Sequence, residues 1–145
     1  MSSATGARYW LAMPQNNVET VRRIYDRWGR GDFRAGMELY DPHVLLVLRP
    51  EFPEAGEYCG PEEIRRYMRD DFLADLEGAV IEGDEFIAAG DTVVVRVHQR
   101  ATGPGSGAPV EMSYYQVWTF RGGSVIRIES IREREEALEA AGLTQ

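Results

Sequence analysis

The stretch M112-S-Y-Y-Q-V-W-T-F-R-G-G-S-V-I-R-I-E-S130 decides the fold. Its period of two predicts a strand, Gly122-Gly123 supplies a tight turn, and the alternating apolar residues after the turn predict a second, antiparallel strand. If the even positions point inward, Tyr114, Gln116 and Trp118 form one buried row of two rings and an amide. A buried amide needs several hydrogen-bond partners, which the wall of a wet pocket supplies more easily than a sealed core.

The same two-residue period extends upstream through A79-V-I-E-G-D-E-F-I-A-A-G90 and D91-T-V-V-V-R-V-H-Q-R-A-T-G103, joined by Gly-rich turns, so residues 79–131 read as an antiparallel meander. Before residue 79 the period is helical. N17-V-E-T-V-R-R-I-Y-D-R-W28 sets Val18, Val21, Ile24, Tyr25 and Trp28 on one face, with Asn16 and Glu19 as a capping box and Gly29 and Gly31 as the stop. A short helix over 32–40 should bury Phe33, Met37 and Tyr40, and H43-V-L-L-V-L48 reads as a buried strand. The Pro-rich R49 to G60 stretch reads as a loop, followed by a helix with Gly60 as cap and Pro61 at its first position. Its inner stripe is Ile64, Tyr67 or Met68, Phe72 and Leu76. At the end, Ser130 and Glu133 offer a capping box for a charged, exposed helix that Gly142 terminates. Helices followed by a meander predict an α+β layer, with residues 1–15 as a loose arm and 16–145 as a single domain.

The 145-residue length suits one domain with its own core. A net charge of −8 opposes the phosphate contacts on which nucleic-acid binding depends, and no basic arm offsets it. All sixteen basic residues are Arg, which removes Schiff-base and phosphate-loop lysines. The single Cys59 forms no internal disulfide, and with two His residues it completes no cysteine-rich zinc site, so neither metal nor cofactor is expected. No apolar run approaches the roughly 20 residues of a membrane span, and the start lacks a signal-peptide core, which predicts a cytoplasmic protein.

The order helix, short helix, strand, helix, four strands, with Y25-D-R-W-G-R-G-D-F-R-A-G-M-E-L-Y-D-P-H-V44, Y58-C-G-P-E-E-I-R-R-Y-M68 and V117-W-T-F-R-G-G-S-V-I-R-I-E-S130, resembles the nuclear transport factor 2-like superfamily. Within it the chain is most similar to the SnoaL-like branch, related to polyketide cyclases and ketosteroid isomerase. The resemblance implies a cone-shaped, strongly curved antiparallel or mixed sheet wrapped around helices, as in the cystatin-like folds, a cavity at its open end, and a homodimer. It also implies where catalytic groups should stand. The position of the isomerase's tyrosine holds Ile24, with Trp28 one turn later. The strand that should carry its base, V44-L-L-V-L-R-P50, has no carboxylate. The position of its oxyanion-hole acid, shared with the cyclase acid, holds Gln116, and R100-A-T-G-P-G-S-G107 lacks a cyclase-type histidine. Gln takes no proton as a general base, but its NH2 can donate to a carbonyl oxygen.

The expected site is therefore a cavity between the first helix, the helix after Gly60 and the strand around Gln116. Tyr114 and Gln116 are its polar contacts and Trp28 and Trp118 its walls for a small, largely apolar molecule. His98 is a further candidate contact, although V95-R-V-H-Q-R100 alternates so that Arg96, His98 and Arg100 can face outward instead. The alternatives are an isomerase, cyclase or hydrolase on a polyketide- or steroid-like substrate, with its base supplied by His98 or Glu51, and a non-catalytic structural or partner-binding dimer. Glu54, Asp70 and Asp71 read as solvated surface acids.

Overall fold

The computed structural model describes residues 17–74, 76–103 and 107–143. The arm expected over residues 1–15 and the Asn16 cap lie outside the described residues. Helix α1 covers residues 17–28 and buries Val21, Ile24, Tyr25 and Trp28. Six strands follow: β1 (Tyr40–Leu48), β2 (Gly56–Cys59), β3 (Glu77–Ala89), β4 (Thr92–Thr102), β5 (Pro109–Arg121) and β6 (Ser124–Ile131). They form one curved mixed sheet in the order β2-β1-β6-β5-β4-β3. The meander β3 to β6 is antiparallel, and β1 returns to lie parallel to β6. Helix α2 (Gly60–Arg66) runs on without interruption into a wider, π-wound turn over Tyr67–Phe72, and α3 (Arg134–Ala140) closes the chain.

Four local expectations are corrected. The helix expected over 32–40 is reduced to a 3-10 turn, Met37–Leu39. Gly36 is the cause: its φ is 92°, and an added Cβ would stand 2.8 Å from Ile24 Cδ1, so the chain bends sharply where it passes under α1. Phe33, Met37 and Tyr40 are consequently half-buried rather than core. The expected loop to Gly60 contains β2, which pairs antiparallel with β1 from Leu45 to Leu48. Pro50 and Pro53 shape the connecting turn, and buried Phe52 pins it by packing edge-on against Tyr114, ring centroids 5.3 Å apart. Cys59 rather than Gly60 occupies the cap position of α2, and its N–H donates to Glu63 Oε1 at 2.7 Å.

The terminal helix is the fourth correction. It begins after Glu133, with no side-chain cap, and it is not fully exposed. Ala137 and Leu138 are buried, and Ala137 packs with Val94, Val117 and Ile131 on the outer face of the sheet. Two ion pairs hold it there. Arg134 grips Glu85 through two contacts of 2.7 and 3.2 Å, and Arg49 joins Glu129 at 2.8 Å to Glu136 at 3.5 Å. The main core lies on the inner face, where Val93, Val95 and Val97 of β4 meet α1 and the even-numbered residues of β5.

Candidate functional site

The inner face of the sheet is not filled along its whole length. Beside the C-terminal end of α1 it leaves a cavity of about 290 Å3, at the lower end of the range of ligand pockets and too large for a lone water. The walls are mainly apolar and aromatic. They come from Trp28 at the end of α1, Phe33 beyond it, Leu46 and Leu48 of β1, Ile64 of α2, and the π-wound turn.

That turn aims its side chains for a geometric reason. In an α-helix five residues sweep an angle that leaves positions i and i+5 about 140° apart, whereas roughly 4.4 residues per turn in a π winding bring them within about 50°. Tyr67 and Phe72 therefore share one face, with ring centroids 6.4 Å apart, and Met68 and Asp71 line the cavity beside them.

The β5 row divides at Gln116. Val110, Met112, Tyr114 and Gln116 line the cavity, but Trp118, although of the same parity, does not. It is fully buried beneath α1, with Tyr25 and Trp28 ring centroids at 5.9 and 5.7 Å. His98 also stands away from the cavity. It lies on the outer face between Arg96 and Arg100, with Nδ1 3.1 Å from Ser113 Oγ, as the alternation with inward Val95 and Val97 requires. Trp28 does line the cavity, and its Nε1–H donates to the Ala35 carbonyl at 3.1 Å. Glu51 is exposed and off the cavity wall, whereas exposed Glu54 and Asp71 reach it.

Three polar residues missed by sequence reasoning complete the site: Tyr25, Gln99 and Ser130. Trp118 Nε1–H donates to Tyr25 Oη at 2.9 Å, and the Tyr25 hydroxyl donates to Gln116 Oε1. Because the tyrosine oxygen already receives the indole proton, the amide must turn its carbonyl toward Tyr25 and its NH2 the other way. Gln116 Nε2 then donates to Ser130 Oγ at 3.2 Å. Gln116 and Ser130 are 7 % and 3 % exposed, so this relay is dry on the protein side. One Gln116 amide proton and the Ser130 hydroxyl proton have no acceptor among the described residues, and both residues line the cavity. Above them, Tyr114 Oη–H donates to Gln99 Oε1 at 2.9 Å.

The phenols of this region stay protonated. Burial pushes the Tyr25 pKa well above its ordinary value, against the opposing hydrogen bond from Trp118. Burial, followed by nearby Glu38 for Tyr40, by Tyr58 for Tyr67 and by Tyr67 for Tyr114, raises those three as well. The cavity thus presents neutral donors and acceptors. Its only carboxylates among the described residues are Glu54 and Asp71 at the mouth. Among the described residues no group of three or more His, Cys, Asp or Glu side chains is placed to hold a metal ion. Nor is any described helix long and apolar enough to cross a membrane.

A curved mixed sheet closed by α1 and α2 over an end cavity defines an α+β cone. The chain belongs to the SnoaL-like domain family, whose model matches residues 21–128. None of the curated proteins compared with it matches the chain. Among solved structures it is similar to a nuclear transport factor 2-like protein of unknown function from Burkholderia pseudomallei K96243, 24 % identical, with a TM-score of 0.69 over 86 % of this chain and 95 % of that one. A SnoaL-like polyketide cyclase, so described, from Jannaschia sp. CCS1 is 20 % identical, with a TM-score of 0.66 over 90 % and 94 % of the two chains. TerC, co-crystallized with polyporic acid, is 24 % identical, with a TM-score of 0.64 over 87 % and 98 %. At these identities the likeness establishes the fold.

Proposed function

We propose that this SnoaL-like protein binds a small, largely apolar molecule bearing an oxygen acceptor, and that it works by recognition rather than by proton transfer. One observation carries the reading: the buried Gln116–Ser130 pair, fixed from behind by Tyr25 and Trp118, keeps donor protons uncommitted on the wall of an apolar cavity. Leaving such protons without an acceptor costs free energy that a ligand carbonyl would return. A small organic ligand is also in keeping with TerC, a protein of this fold co-crystallized with polyporic acid. The isomerase or cyclase alternative has less support, because Gln116 replaces the acid and the candidate bases His98 and Glu51 stand off the cavity. The cytoplasm suits a chain whose one cysteine, Cys59, is free and exposed.

Matched probes test the reading by calorimetry. 1-Acetonaphthone should bind roughly tenfold more tightly than 1-ethylnaphthalene, which has its shape without the oxygen, and Gln116→Leu should erase the difference. Failure of both probes to bind, with no molecule co-purifying in native mass spectra, would leave a structural or partner-binding domain as the better description.

The protein further pairs with a second copy through the outer sheet face, as the family resemblance implies. The part of that face beyond α3 is polar, with Arg100 on Glu82 at 2.9 Å and His98 on Ser113. Sedimentation equilibrium should return near twice the 16.4 kDa of the chain, and a single-chain mass at high protein concentration would refute the pairing.

A further inference from the structure

We propose that the ligand of this cavity carries a cationic amine at the end that faces the mouth, an inference that rests on the ligand-binding reading above. The two ends of the cavity differ in chemistry. At the inner end Ser130 and Gln116 offer protons and accept no charge. At the mouth stand two carboxylates, Glu54 on the turn after β1 and Asp71 on the π-wound turn, both exposed and both on the lining.

Neither carboxylate group has a hydrogen bond or an ion pair among the described residues; the Tyr58 hydroxyl donates to the Glu54 backbone carbonyl, not to its side chain. The arginines of the neighbouring helix do not neutralise them. Arg65 is held by Glu62 at 2.7 Å and Arg69 by Asp70 at 2.8 Å, and Arg66 forms no ion pair with either acid.

The rings of Tyr67, Phe72 and Phe33 line the cavity with the two acids. Phe72 stands 6.1 Å from Phe33, ring centroid to centroid, and Tyr58, off the lining, packs against Tyr67 at 4.6 Å. The Tyr58 hydroxyl donates to the Glu54 backbone carbonyl at 2.7 Å, and after burial Glu54 and Asp71 add to the upward push on the Tyr58 pKa, as they do for Tyr67 after burial and Tyr58. Ring faces flanked by carboxylates attract an ammonium group twice, through the ring quadrupole and through charge, and repel an anion. A neutral ligand would leave both carboxylates at the rim of an apolar cavity without a counter-charge. An amine end at the mouth with an oxygen acceptor at the inner end matches both.

Three naphthalene probes of one shape read this directly by calorimetry at neutral pH: 1-naphthylmethylamine, 1-naphthylmethanol and 1-naphthoic acid. The amine should bind about tenfold more tightly than the alcohol, the acid more weakly than either, and added salt should shrink the amine's advantage. In Glu54→Gln/Asp71→Asn the ratio of amine to alcohol affinity should fall below about threefold, with an unchanged urea midpoint showing that the variant is folded. Equal binding of amine and alcohol by the parent protein, or an advantage that survives the double substitution, would overturn the inference while leaving the cavity reading intact. Absence of binding by all three probes would overturn both.

Discussion

Raising the pH above 10 should unfold the protein in one cooperative step. Tyr25, Tyr67 and Tyr114 are all buried, and burial is the largest cause of their raised pKa values. In the unfolded chain each phenol titrates near the ordinary value of about 10. Above that pH the unfolded state has given up three protons that the folded state keeps, so the linkage slope is negative. Stability is intact below about pH 10 and then falls by roughly 4 kcal/mol per pH unit, about 1.4 for each phenol, until the folded phenols themselves ionise. A domain with 5–15 kcal/mol in hand would be unfolded within a few units. The check is spectrophotometric. Phenolate absorbance and loss of far-ultraviolet ellipticity should rise together, whereas phenolate signal from all seven tyrosines near pH 10 with the fold intact would refute the prediction.

Trp118→Ala should cost about 3–5 kcal/mol, the usual range for removing a large aromatic side chain from a packed core. Trp118 is 0 % exposed and touches the rings of Tyr25 and Trp28, so the void opens under α1. Its indole also fixes which way the Tyr25 hydroxyl points, and through it which way the Gln116 amide turns. Thermal unfolding should move down by roughly 10 °C or more. Phe at the same position restores volume but not the N–H, so Trp118→Phe should recover most of the stability and still weaken 1-acetonaphthone binding. If Trp118→Phe bound the ketone as the parent does, the indole would have no part in orienting the amide.

Much of the fold was legible because periodicity is a local property. The two-residue alternation from Ala79 to Ile131 marked four strands, and the apolar face of α1 was explicit in Val21, Ile24, Tyr25 and Trp28. What alternation could not supply was how far along β5 the covering helix extends. Parity puts Tyr114, Gln116 and Trp118 on one face, and only the placement of α1 over Trp118 divides them into cavity wall and core. His98 fell outside for a reason already visible in the run from Val95 to Arg100, and the same parity pointed to Gln99. Ser130 fits a helix cap by sequence because Glu133 follows it by three. Counting by twos from Ile128 instead turns it inward, toward the amide of Gln116. Tyr25 sat in plain view on the helix, but a hydroxyl's partner 91 residues away is not a sequence property. The β2 edge strand was hidden by Pro50, Pro53 and Gly56, residues that do form the turn but leave Gly56–Cys59 free to pair.

The π-wound turn has a bearing on chain length. Viewed along the helix, Tyr67–Phe72 holds one residue more than an α-turn needs, with the Leu73 N–H reaching back five positions to the Met68 carbonyl at 2.9 Å. Deleting Asp70 would bring Asp71 and Phe72 each one position closer to Tyr67, and α winding would then set Phe72 four residues on, still above the same ring. An ordinary helix shortened by one residue swings everything beyond the cut by about 100°. Here the surplus residue absorbs the change, so this part of the cavity wall should tolerate the loss of a residue with Phe72 kept above Tyr67.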